Sequence, residues 1–137
     1  MGQGKTNLYS LADIEGKVSP HQLQVKGALK MRASALELVT DVAELAQYVG
    51  GIVENPPANS EWMVSKEIYP GVIIYLVFTG GDSEFPASLR ALYGGNKIKT
   101  IKGDELATVT ISLANQLLRY VRENSPGKEI PEICHKV

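Results

Sequence analysis

The stretch Tyr69-Pro70-Gly71-Val72-Ile73-Ile74-Tyr75-Leu76-Val77-Phe78-Thr79-Gly80-Gly81-Asp82-Ser83-Glu84-Phe85-Pro86-Ala87-Ser88 decides the fold. The apolar residues from Val72 to Phe78 are mostly β-branched or aromatic, and they stand between Pro70-Gly71 and Gly80-Gly81. A run of this length and type is a strand, and its lack of polar alternation predicts burial on both faces. It feeds a tight turn bearing two carboxylates, Asp82 and Glu84. Strand-end loops are where folds most often display chemistry.

Working outward, Ala87–Tyr93 reads as the neighbouring strand. The eight-residue connection, 79–86, is too short for a parallel crossover, so the pair is antiparallel. Upstream, Trp62, Val64 and Ile68 alternate with Met63, Ser65 and Glu67, a second extended segment. Tyr93-Gly94-Gly95-Asn96 reads as a turn, and Lys97–Ile101 as a short further strand.

Helical periodicity flanks these strands. Ser19 can cap a helix whose first position is Pro20, with Gln22 completing a capping box. Gly27 weakens that helix by about 1 kcal/mol relative to alanine, which predicts a break within 27–32. Ser34-Ala35-Leu36-Glu37 offers another capping box, and Leu36, Val39, Ala43, Ala46 and Val49 form one stripe up to Gly50-Gly51. Asp104 caps the last helix, where Leu106, Val109, Leu113, Leu117 and Tyr120 share a face until Asn124-Ser125-Pro126-Gly127. The fold class is therefore α+β. A small, mainly antiparallel sheet of three or four strands packs with two main helices in one domain. Residues 1–18 read as an irregular lead-in, 19–124 as the globular domain, and 125–137 as a tail, either loose or docked as an arm.

The totals narrow the function classes. The 137 residues are enough to bury a core without disulfides, and 44% apolar with 21% charged residues is ordinary globular composition. Fourteen basic against fifteen acidic residues give a net charge of -1. No basic excess is present to neutralise phosphates, so nucleic acid is not the expected partner. A single cysteine, Cys134, excludes an intrachain disulfide and fits a reducing compartment. No run approaches the roughly 18 apolar residues of a spanning helix, and no signal peptide is visible. The expectation is a cytoplasmic protein with no membrane partner.

The order of motifs resembles a known family. Pro70-Gly71-Val72, the buried strand, Gly81-Asp82-Ser83-Glu84-Phe85-Pro86-Ala87-Ser88, Leu92-Tyr93 and Asp104-Glu105-Leu106-Ala107 are similar to domain-of-unknown-function family 3786 of anaerobic bacteria and archaea. Gly50-Gly51 and Leu11-Ala12-Asp13-Ile14-Glu15-Gly16 fit the same pattern. The resemblance implies company with corrinoid and iron–sulfur one-carbon metabolism. Some such domains are fused to a cysteine-rich cluster-binding segment. This chain has only Cys134, and it has Gly94 where the pattern carries an acidic residue. No cofactor is therefore expected.

Candidate sites divide between chemistry and architecture. Gly81, Asp82, Glu84 and Phe85 form the candidate binding loop, with Tyr69 and Tyr93, each beside a turn and expected partly exposed, as an aromatic wall. The plainer reading makes Asp82 the acceptor of an Asx turn and Phe85-Pro86 the anchor of the return strand. Two carboxylates without a local histidine make a poor transition-metal site. Trp62, Tyr75 and Phe78 serve a core as readily as a pocket. Gly2-Gln3-Gly4-Lys5-Thr6 imitates the end of a phosphate loop but lacks its first glycine and preceding strand. Gly2 and Thr6 also fit the start of a myristoylation signal, with no basic cluster as second anchor. His21 reads as solvated, and the adjacent Cys134-His135 has no zinc-site spacing.

No serine or cysteine nucleophile has an identifiable base, so no catalytic residue emerges. Two functions remain. One is a non-catalytic accessory or binding protein with a protein partner, a second copy of itself included, beside an anaerobic redox or corrinoid system. The other is a small ligand-binding protein or enzyme using the Asp82/Glu84 loop.

Overall fold

The computed structural model describes residues 8–16 and 19–137. The phosphate-loop and myristoylation readings at Gly2–Thr6 lie outside these residues. Among the described residues, four strands form one antiparallel sheet in sequential order: β1 (Ile52–Glu54), β2 (Trp62–Tyr69), β3 (Val72–Thr79) and β4 (Ser88–Gly94). The protein is α+β, and β3 lies inside the sheet. β1 was not anticipated, since three residues carry too little periodicity to read.

The two faces of β3 explain its unbroken apolar run. Val72, Ile74, Leu76 and Phe78 join the main core, where Trp62 stacks on Phe78 with ring centroids 5.2 Å apart. Tyr75 and Val77 join Met63 in a second cluster on the opposite face, bordered by Leu8, Ile73 and Leu92. At the β2–β3 hairpin, Tyr69 pairs with Val72 across Pro70-Gly71. Gly71 has φ +80°, as the third position of a type II turn requires. A side chain there would also strike Asn96.

The helices pack on the main-core face: α1 (Leu11–Glu15), α2 (Pro20–Arg32), α3 (Val42–Val49) and α4 (Gly103–Glu123). Within the lead-in read as irregular, Ser10 caps α1 by a capping box with Asp13, and Leu11 is wholly buried. Ser19 caps α2 by accepting from the Gln22 amide at 3.0 Å. Gln22 turns instead to Ala12, whose amide donates to Oε1 at 3.4 Å. α2 passes through Gly27 unbroken and tightens into a 3-10 helix at Ala33–Leu38.

The helix expected from Ser34 to Val49 is thus two elements. Val39 is extended, and Asp41 begins α3 by accepting from the Glu44 amide at 3.1 Å. β-branched Val39 and Thr40 disfavour continued helix, and Asp41, as competent a cap as Ser34, starts the new one. The restart shifts the phase, so Leu45, Ala46 and Val49 are buried while Ala43 is exposed.

Two further expectations are corrected. Lys97–Ile101 is not a strand but holds a 3-10 turn, Ile98–Thr100. Its backbone groups are taken by the turn and by the β2–β3 hairpin, with the Thr100 amide on Lys97 O at 3.0 Å and the Lys97 amide on Gly71 O at 2.9 Å. α4 starts at Gly103 with Lys102 at the cap position, so Asp104 lies inside the first turn, favourable to the helix dipole. On α4, Leu106, Ala107, Leu113, Ala114, Leu117 and Leu118 are buried and Val109 is marginal. The tail is docked: Arg122 Nη1 donates to Cys134 O at 3.2 Å and Val137 O at 2.8 Å, and Cys134 is buried.

Candidate binding site at the sheet edge

The acidic loop is tied to itself. Asp82 Oδ1 accepts from the Glu84 and Phe85 amides, both at 2.8 Å, and the Asp82 amide donates to Phe85 O at 2.8 Å. Those amides, Phe85 first, hold the Asp82 carboxyl below its ordinary value. A carboxylate so stabilised is a poor proton donor near neutrality. Gly80 lies against the Glu61 carboxylate, and Gly81 lies against the Pro86–Ala87 backbone. Asp82, Glu84 and Phe85 are exposed, Phe85 at 68%.

The aromatic wall does not face this loop. Tyr69 pairs with Val72 and Tyr93 with Ile74, whereas the loop leaves β3 beyond Thr79. That separation is roughly 20 Å at ~3.3 Å per strand residue. Tyr69 is 41% exposed, but Tyr93, expected partly exposed, is 1% exposed. Alternation along β4 carries its ring onto the core face with Leu89 and Ala91, whatever the turn beside it. The Tyr93 phenol is pushed up to about 12 by burial.

Other polar groups make structural pairs. Glu15 accepts from the Ser19 hydroxyl at 2.5 Å and meets His21 Nδ1 at 2.7 Å, so His21 is held rather than simply solvated. The Ser19 hydroxyl is the chief cause holding the Glu15 carboxyl below its usual range. Tyr120 donates to Glu44 at 2.6 Å and Tyr48 to Glu123 at 2.8 Å, tying α3 to α4. Among the described residues, no three His, Cys, Asp or Glu side chains converge as a metal site. No described helix is long and apolar enough to cross a membrane.

One open feature among the described residues is the outer edge of β4. Tyr9 bridges Tyr93, each amide donating to the other's carbonyl at 2.8 Å. The Tyr93 polar groups therefore point away from β3, and strand alternation aims those of Leu89 and Ala91 the same way. Past Tyr9 the chain curls into α1, leaving both without a backbone partner among the described residues. Alongside runs a groove of about 240 Å³, lined by Gln22, Val25, Lys26 and Leu29 of α2 and by Leu89 and Ala91 of β4. The α2 residues recur at three- and four-residue spacing, presenting one face of the helix.

Reading the sequence missed this site. The available signal was α2 itself, which carries Lys26, Lys30 and Arg32 and no carboxylate. No protein-family model, curated protein or solved structure matches the chain.

Proposed function

We propose that this protein is a non-catalytic binding module that captures an extended segment of a partner protein along β4. The observation that carries this reading is the pair of outward-facing backbones at Leu89 and Ala91 beside the α2 groove. An added strand would gain main-chain hydrogen bonds from the edge and seat alternate side chains against Val25 and Leu29. Folds commonly blunt such an edge, because it invites pairing. The resemblance seen around Pro70–Ser88 would set the partner within an anaerobic redox or corrinoid system. The reading itself rests on the edge alone.

The test is amide hydrogen exchange at Leu89 and Ala91. Both should exchange as unpaired edge groups in the free protein and become protected when an affinity-captured partner is added. Ala91→Pro removes only an outward N–H, so the variant should fold and lose capture. A partner that binds without altering those two amides would overturn the reading.

A further inference from the structure

The two elements beside the groove carry one sign of charge. α2 holds Lys26, Lys30 and Arg32, β4 holds Arg90, and neither element contains a carboxylate, in a chain whose net charge is -1. Arg32 is engaged with Asn115 Oδ1 at 2.8 Å and Ala28 O at 2.8 Å. Lys26 and Arg90 line the groove, are exposed, and have no salt-bridge partner among the described residues. Beside Lys26 the floor is apolar, made by Val25, Leu29 and Leu89, all buried, while Arg90, paired with Val77, stands on the opposite face of the same edge.

Resting on the edge-capture reading above, we infer that the occupant is an acidic extended peptide alternating apolar and carboxylate side chains. The register follows from the strand. A segment bonded to Leu89 and Ala91 places its intervening residue opposite Arg90, with its side chain on the Arg90 face at roughly 5 Å between Cβ atoms. A glutamate or aspartate there meets the Arg90 guanidinium, which has no ion-pair partner among the described residues. The residues on either side point to the α2 face, where the floor selects apolar groups and Lys26 sits at the rim.

The same geometry disfavours a second copy of this chain. The symmetric pairing that bonds Leu89 of one copy to Ala91 of the other is centred on Arg90 and sets it against its own copy. Like charges directly opposite destabilise strand pairing.

The probes are two labelled, end-blocked heptapeptides, one alternating valine with glutamate and one alternating valine with lysine. They are titrated into the full chain by fluorescence anisotropy, with amide exchange recorded in parallel. The glutamate peptide should protect Leu89 and Ala91, bind about tenfold more tightly than the lysine peptide, and weaken with added salt. Arg90→Glu should remove about tenfold of that affinity and favour the lysine peptide, and Lys26→Glu should act in the same direction. Neither residue is buried, so both variants should keep the fold.

Equal affinities with both peptides protecting the two amides would overturn acidic selection and leave edge capture standing. No protection by either peptide would overturn both. A concentration-dependent dimer in sedimentation velocity that protects the same amides would make a second copy the occupant and sink the inference.

Discussion

The Tyr93 hydroxyl and Thr110 Oγ1 stand 2.8 Å apart in the buried seam between β4 and α4. The Thr110 hydroxyl donates onward to Leu106 O at 2.6 Å, so Tyr93 is the donor to Thr110. This chain of bonds ties the edge strand to the longest helix. Tyr93→Phe removes a donor and leaves Thr110 bonded to Leu106, at a cost of about 1 kcal/mol. Thr110→Val strands the buried phenol and should cost more, about 1–3 kcal/mol. Urea unfolding of both variants checks the order, and equal losses would contradict the assigned direction of donation.

Tyr93 also sets an alkaline limit. Its phenol has an ordinary pKa of 10 and is pushed up to about 12 in the folded protein by burial. Between those values the unfolded chain has released a proton that the native state keeps, so stability falls as pH rises. The contribution is complete below 10 and is lost as pH climbs toward about 12. Tyr93→Phe should flatten that part of the pH–stability curve, read by thermal melts across the range.

Gly103 and Glu15 form a coupled pair. A side chain at Gly103 would overlap the Glu15 carboxylate, which is held by Ser19 and His21. Gly103→Ala should displace that carboxylate and destabilise by about 1 kcal/mol, despite alanine's better helix propensity. In a Glu15→Ala background the same change should be neutral or slightly stabilising. Additive effects in this double-mutant cycle would exclude the contact.

Arg122 clasps the C-terminal tail through the carbonyls of Cys134 and Val137. Burial raises the pKa of the Cys134 thiol. Arg122→Ala should loosen the tail and speed labelling of Cys134 by a thiol reagent, with α4 intact by circular dichroism. An unchanged labelling rate would mean that Ile130 and Ile133, which pack against the core, hold the tail without the arginine.

The burial phase of α4 is open to test as well. Ala114 is wholly buried and Val109 only partly so. Ala114→Asp should abolish soluble, cooperative folding, because it buries an unpaired charge. Val109→Asp should fold with a lowered melting temperature. Comparable behaviour of the two variants would mean the helix is rotated.

Local physics made part of this protein readable in advance. Val72–Phe78 could only be a two-sided strand, because seven apolar residues between turn signals have no solvent face. The short 79–86 connection dictated antiparallel pairing, and the leucine stripe of α4 dictated its docking. Asp82 had the chemistry of a turn acceptor before its two amide partners were known. Each reading depends on neighbours within a few residues.

What escaped depended on elements far apart in the chain. Tyr93 sits beside a turn, yet the core face of β4 takes its ring to Thr110 of α4. Ser34 and Asp41 are both competent caps, and packing of Ala35 and Leu36 beneath a 3-10 turn selected Asp41. The aromatic wall and the acidic loop parted because hairpin register sends them to opposite ends of one strand. The open edge at Leu89 and Ala91 exists only because β4 is last in the sheet and Tyr9 covers a single pair before turning into α1. Backbone hydrogen-bonding capacity is the same at every such residue, so only the assembled strand order shows which groups remain unpaired.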